Sequence, residues 1–184
     1  MLRDIFKTEA IMMLGCEAMY VALYTEHIPL SEVANQVNKN QLIRFFLDFY
    51  KSTKAPKVAV LGLNPHAGDN GVLGNEEQAI KAAIEAANMI LGQTIYEGPF
   101  VPDIAFTPTN RAYYRYYVAM YHDQGLIPLK ALYFDESVNI SLNLPIVRTS
   151  VDHGTAFDIA YKNKAKTASY VNAIKSALNL LNKR

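Results

Sequence analysis

The sequence predicts a three-layer α/β/α fold, and three observations carry that expectation. Two short, apolar, uncharged runs, Val58-Ala59-Val60-Leu61-Gly62-Leu63 and Tyr117-Val118-Ala119-Met120-Tyr121, suit strands buried on both faces. Stretches with helical periodicity alternate with them, which argues for a sheet covered by helices on both sides. A chain of 184 residues, 51% hydrophobic and 19% charged, is one ordinary domain or part of a larger one, and can bury a core.

Taken in order, Ile11, Leu14, Ala18, Val21 and Ala22 follow helical spacing, so residues 8–24 are predicted as a helix, ended by Pro29. Ser31 is placed to cap a short helix, and Leu42, Phe45, Phe46 and Phe49 mark the next one. The first buried run ends in Asn64-Pro65-His66-Ala67-Gly68-Asp69-Asn70-Gly71, a loop dense in turn formers. Ala79, Ala82, Ala83, Ala86 and Ile90 then give a helix that stops near Gly92. The second buried run ends at His122-Asp123-Gln124-Gly125, read as a loop. Residues 138–147 read as extended, with alternation over Val138, Ile140 and Leu142 and a break at Pro145. Val171, Ile174, Leu178 and Leu181 define a last helix.

Composition excludes several classes of function. Eighteen basic against seventeen acidic residues leave a formal charge of +1, with no electrostatic footprint for nucleic acid. No apolar run approaches the ~18 residues of a membrane span. The N-terminus meets charges at Arg3 and Asp4 and lacks the apolar centre of a signal peptide. One cysteine, Cys16, excludes an intramolecular disulfide and points to a reducing cytoplasm; within the expected first helix it reads as buried and inert.

The chain holds four histidines, His27, His66, His122 and His153. His66 and His122 each follow a buried strand, and in α/β sheets ligands collect at the carboxyl ends of strands. A catalytic metal needs three protein ligands and an open position, which three histidines can supply. Asp123 could then hold the imidazole of His122 or act as a general base. The alternative is that each histidine caps a loop or lies on the surface. Lys130, Asn139 and Arg148 are spread through an otherwise apolar stretch and would suit a phosphate or carboxylate substrate, or else a solvated face. The neighbours of Arg148 imply its burial. Asp152-His153-Gly154-Thr155-Ala156-Phe157-Asp158-Ile159-Ala160 offers backbone donors to a nucleotide. No Gly-x-Gly-x-x-Gly follows a strand and no Walker loop occurs, so a standard Rossmann dinucleotide site is not supported. The tyrosines, including Tyr113, Tyr114, Tyr116 and Tyr117, read as packing or a subunit contact.

Together these strings resemble the 4-hydroxythreonine-4-phosphate dehydrogenase family. The matching segments are Leu63-Asn64-Pro65-His66-Ala67-Gly68, Ala119-Met120-Tyr121-His122-Asp123-Gln124-Gly125-Leu126 and Arg148-Thr149-Ser150-Val151-Asp152-His153-Gly154-Thr155-Ala156. His27-Ile28-Pro29-Leu30 and Val138-Asn139-Ile140-Ser141-Leu142 are shorter matches, all in the family's order. The resemblance implies an isocitrate/isopropylmalate dehydrogenase-like fold, incomplete at the N-terminus, in a homodimer with its active site at the subunit interface. It implies a divalent metal on His27, His66 and His122, zinc first, with magnesium, cobalt or manganese as alternatives. Lys130, Asn139 and Arg148 would contact the substrate, and Asp123, Asp103 and Lys130 fall at catalytic positions. His153, Gly154, Thr155, Ala156 and Asp158 resemble the relatives' NAD-site stretch, for NAD or NADP.

The implied reaction is oxidation of 4-phosphohydroxy-L-threonine to a β-keto acid that decarboxylates to 3-amino-2-oxopropyl phosphate, in pyridoxine 5'-phosphate biosynthesis. The alternatives are a dehydrogenase of a related phosphorylated acid, of the 4-phospho-threonate type, or a non-catalytic domain that dimerises or binds metal or NAD. The family's N-terminal half carries a Gly-His-Thr-rich substrate-binding segment that nothing here matches. Leu2-Arg3-Asp4-Ile5-Phe6 resembles the stretch just after it, so residues 1–184 are expected to be the C-terminal portion. Neither a nucleic-acid nor a membrane partner is expected.

Overall fold

The computed structural model describes residues 5–152, 154, 157–164 and 166–182, apart from the side chain of Asp158. One seven-stranded sheet organises them. Its strands are β1 (Ile11–Cys16), β2 (Met19–Leu23), β3 (Val58–Leu61), β4 (Tyr96–Phe100), β5 (Tyr116–Ala119), β6 (Val138–Leu142) and β7 (Arg148–Val151), in the spatial order β4-β3-β5-β2-β1-β6-β7. β4, β3, β5 and β2 run parallel, whereas β1, β6 and β7 pair antiparallel. The helices are α1 (Leu30–Gln36), α2 (Lys39–Thr53), α3 (Glu76–Leu91), α4 (Pro108–Tyr113), α5 (His122–Tyr133) and α6 (Ala168–Leu181).

The strongest departure from the sequence reading is at residues 8–24, which form the β1–β2 hairpin and not a helix. Both strands lie inside the sheet, and every residue of β2 is buried. Strands covered on both faces lose the polar–apolar alternation, and such a run also satisfies a helical template. Cys16 closes β1 opposite Met19 across the two-residue turn, half-buried, so its expected place in a buried helix is corrected too. Ser31 lies inside α1, whose N-cap is Pro29 with no side-chain cap. β4, α4, α5 and β7 had no counterpart in the sequence reading, and the extended stretch read at 138–147 is a strand only as far as Leu142. The strands at 58–61 and 138–142, the break at Pro145, and α2, α3 and α6 agree with it.

Two apolar layers fill the space on either side of the sheet. Phe46 and Phe49 of α2 and Ile80, Ala83 and Ala87 of α3 pack on Val58, Val60 and Val118, with Ala173 of α6 on the same side. Tyr96 stacks on Phe46 at 4.5 Å and donates its hydroxyl to the Phe46 carbonyl at 2.5 Å. On the opposite face Leu126 and Leu129 of α5 cover Val21, Leu61, Tyr117 and Ala119. Gly125 is required there: a Cβ on it would lie 2.9 Å from the Cβ of Ala119 and closer still to Val21. That close approach fixes where α5 begins, and hence where His122 stands.

Candidate active site at the carboxyl edge of the sheet

β2, β5 and β3 are adjacent and parallel, so the chain leaves all three at the same edge of the sheet. His27 follows β2, His122 follows β5 and His66 follows β3. Asp103, exposed in the turn after β4, leaves at this edge as well. Arg148 opens β7 opposite Ser141, near the carboxyl end of β6, which points the same way. The sheet order thus brings five of the residues singled out in the sequence to one edge.

The rings of His27 and His122 lie side by side, 5.5 Å between centroids. His122 is the first residue of α5 and not a loop residue. Its Nδ1 sits 2.6 Å from Oδ1 of Asp123. A carboxylate only accepts, so Nδ1 is the donor in this pair, which leaves Nε2 as the nitrogen whose lone pair a neutral ring could offer to a metal. Three imidazoles form a donor set suited to a divalent transition metal. Two of them are neighbours here, with the third on the adjoining strand end. Among the described residues, however, no three His, Cys, Asp or Glu side chains form a group that could hold a metal ion.

The edge is tied together by groups that sequence reasoning did not single out. Gln124 spans two strands: its Oε1 accepts from the Met120 amide and its Nε2 donates to the Gly62 carbonyl, each at 2.7 Å. Thr25 donates its hydroxyl to the Met120 carbonyl at 2.6 Å and holds the segment leading to His27 against β5. A glutamine one turn into a helix and a threonine after a strand carry no distinctive sequence signal. Their role depends on which strands are neighbours.

His66 stands in a turn, Pro65–Gly71, in which five successive residues are left-handed: His66 (φ 53), Ala67 (φ 50), Gly68 (φ 82), Asp69 (φ 42) and Asn70 (φ 55). L-residues other than glycine pay roughly 1–2 kcal/mol each in that region, and such strain persists only where the surroundings enforce it.

Lys130 and Asn139 are placed differently. Lys130 lies two turns down α5, about 12 Å along the helix axis from His122. Its Nζ is 3.2 Å from Oδ1 of Asp152, whose side chain is buried and also accepts from the Ser137 hydroxyl at 2.6 Å. Asn139 is near the start of β6, and its Oδ1 is buried with no hydrogen-bond partner among the described residues. Arg148 is half-buried and donates through Nη1 to the Ser141 hydroxyl at 2.6 Å. Within one chain, then, the histidines and Arg148 gather at one end of the sheet, with Lys130 and Asn139 toward the other. Of the nucleotide stretch, Gly154 is exposed; His153, Thr155, Ala156 and the side chain of Asp158 lie outside the described residues. No helix among the described residues is long and apolar enough to cross a membrane.

The profile of a family described as pyridoxal phosphate biosynthetic protein PdxA matches residues 1–177. The chain belongs to the PdxA family. It is 66% identical over 180 residues to a protein of Sulfurimonas denitrificans named 4-hydroxythreonine-4-phosphate dehydrogenase, covering 98% of this chain and 59% of that one. A protein of the same name from Campylobacter fetus is 56% identical, over 95% of this chain and 57% of its own length. The chain therefore spans less than two thirds of the length of these curated relatives. The crystal structure of 4-hydroxythreonine-4-phosphate dehydrogenase from Klebsiella pneumoniae superposes with a TM-score of 0.82 at 39% identity, over 97% of this chain and 56% of that one. A terephthalate 1,2-cis-dihydrodioldehydrogenase from Burkholderia xenovorans gives 0.69 at 26% identity, over 91% and 55%. The fold is the three-layer, isocitrate/isopropylmalate dehydrogenase-like one that the sequence led us to expect.

Proposed function

We propose that this chain carries the histidine edge of a dehydrogenase that oxidises 4-phosphohydroxy-L-threonine, with NAD or NADP as acceptor. The observation that carries the reading is the pairing of His27 with His122 beside the strand that delivers His66, in a chain two-thirds identical to a protein of that name. His27, His66 and His122 would hold a divalent ion, zinc first among the candidates. Bound there, the ion supplies Lewis acidity at the substrate hydroxyl, and the nicotinamide supplies the hydride acceptor. Asp123 orients the His122 ring and keeps its proton on Nδ1. Asp103, at the same edge, is proposed to accept the proton that the substrate hydroxyl gives up as hydride leaves its carbon. Arg148 would bind the substrate's anionic groups in a bidentate fork, and Lys130 and Asn139 would position them further. The β-keto acid then loses carbon dioxide to give 3-amino-2-oxopropyl phosphate.

Lys130 and Asn139 sit away from the histidine edge, which supports a site completed across a homodimer interface. Sedimentation velocity of the chain tests that part. His153, Gly154, Thr155, Ala156 and Asp158 remain the proposed nicotinamide-nucleotide segment.

The direct experiment is NADH formation by this chain with NAD, 4-phosphohydroxythreonine and added zinc or magnesium. A metal-dependent rate abolished by His66→Ala supports the reading. The dihydrodiol dehydrogenase among the structural neighbours favours a second one, the same scaffold serving another hydroxylated acid. A higher rate on 4-phosphothreonate would select it. No rate on either substrate, from a folded chain that still binds metal, would point to a domain that needs the remainder of its relatives' length.

A further inference from the structure

The turn that carries His66 runs against the backbone's own preference, so neighbouring groups must enforce it. One group does so from both sides. Glu77, in the first turn of α3, is 8% exposed, a burial that acidic side chains seldom reach without partners. Its Oε1 accepts from the amides of Leu63 and Asn64 at 2.9 and 2.7 Å, and its Oε2 accepts from the Asn64 Nδ2 at 2.9 Å. Asn64 is the residue from which the turn starts, and its carbonyl accepts the Ala67 amide at 3.1 Å. Its side chain also donates to Glu76 at 2.7 Å, the main cause holding the Glu76 carboxyl below its ordinary range.

The carboxylate reaches the middle of the turn as well. A Cβ on Gly68 would fall 2.7 Å from Oε2 of Glu77 and 2.7 Å from the Gly74 carbonyl, so Glu77 occupies the hollow that a side chain there would need. A buried carboxylate surrounded by convergent N–H donors is the arrangement that fixes a backbone loop from within. An apolar side chain of equal volume would fill the hollow without a charge to desolvate. The carboxylate therefore marks a demand for acceptors aimed at Leu63 and Asn64.

We propose that Glu77 is a positioning residue: its carboxylate holds the left-handed turn Pro65–Gly71 and so sets the place from which His66 acts. The link to His66 rests on the reading of that residue as a metal ligand. It can be tested on the chain itself by amide hydrogen exchange and by titration with Co2+ alone, followed in visible absorption. Glu77→Ala is expected to speed exchange over residues 62–73 by about tenfold or more, with β5 and α5 unchanged. It is also expected to weaken Co2+ binding by about tenfold or more, as loss of a ligand's support does. Glu77→Gln keeps an oxygen acceptor for the Leu63 and Asn64 amides and should restore most of both effects.

Faster exchange spread evenly over the sheet would make Glu77 a plain stability residue and overturn the proposal. So would a loosened turn with unchanged Co2+ affinity. If Glu77→Ala fails to fold, Glu77→Gln alone decides: having lost the bond to the Asn64 side chain, it should show a local rise of about a few-fold, and none would refute us. If the unaltered chain binds no Co2+, the ligand reading of His66 falls separately, and the exchange result by itself judges whether Glu77 holds the turn.

Discussion

Replacing Gln124 by alanine tests how the histidine edge is held. The substitution removes two hydrogen bonds of 2.7 Å, one to the amide of the fully buried Met120 and one to the carbonyl of buried Gly62. Each bond lost from a buried group here should cost about 1–2 kcal/mol, between its net worth and the full penalty of leaving the group unpaired. Loss of one side chain here should therefore cost roughly 2–4 kcal/mol. For a chain of this size that lowers Tm by roughly 5–15 °C. The assay is urea and thermal unfolding followed by far-UV circular dichroism, with the exposed Lys81→Ala of α3 as control. Gln124→Glu should cost nearly as much, because a carboxylate serves the Met120 amide but cannot donate to the Gly62 carbonyl. A loss below about 0.5 kcal/mol for Gln124→Ala, equal to the control, would refute the bridge between β5 and β3 as a structural tie.

Further outcomes follow from the same structure. Gly125→Ala should cost about 1–3 kcal/mol in urea unfolding, since its Cβ would push α5 off Val21 and Ala119. Burial pushes the phenols of Tyr20 and Tyr117 up to about 12, and those of Tyr96 and Tyr114 upward too. The unfolded chain loses these protons near the ordinary value, so the stability they contribute is present below about pH 10 and lost as pH rises toward 12. The slope is roughly 1.4 kcal/mol per pH unit for each tyrosine, read from Tm against pH, and Tyr117→Phe should flatten it. His122→Ala should weaken Co2+ binding about tenfold or more with little change in Tm, because the side chain, at the start of α5, is 38% exposed. On the proposed function, Arg148→Lys should raise KM for the phosphorylated substrate about tenfold and leave that for NAD nearly unchanged. Equal effects on both would mark a structural arginine.

Much of this was legible in the residues, and the failures have a physical pattern. Strands covered on both faces, such as β3 and β5, were readable where an apolar run was short and bounded by turn formers. The β1–β2 hairpin was not, because its two-residue turn, Glu17-Ala18, interrupts a long apolar stretch without proline or an Asn-Gly pair. The alternation of β6 was visible because Asn139 and Ser141 face one side and Val138, Ile140 and Leu142 the other. His27, His66 and His122 could be singled out individually. Their common edge follows from the strand order, which no local pattern encodes. Glu77 was the least visible of all. In a one-dimensional reading it is one of two acids in the first turn of a helix, and only the fold buries it against Asn64.

The pairing of β2 with β5 also bears on the order of events when the chain folds. Thr25 and Met120, which close that pairing at the histidine edge, are 95 residues apart, whereas β1 and β2 are joined by two residues. A hairpin so local can form within microseconds, but the β2–β5 seam must wait for the closure of a loop about half the chain long. His27 and His122 become neighbours only across that late seam. Refolding should therefore restore most of the secondary structure before it restores a competent histidine edge, and the β1–β6 pairing, with Ile11 opposite Leu142, must close a loop longer still before the sheet is whole.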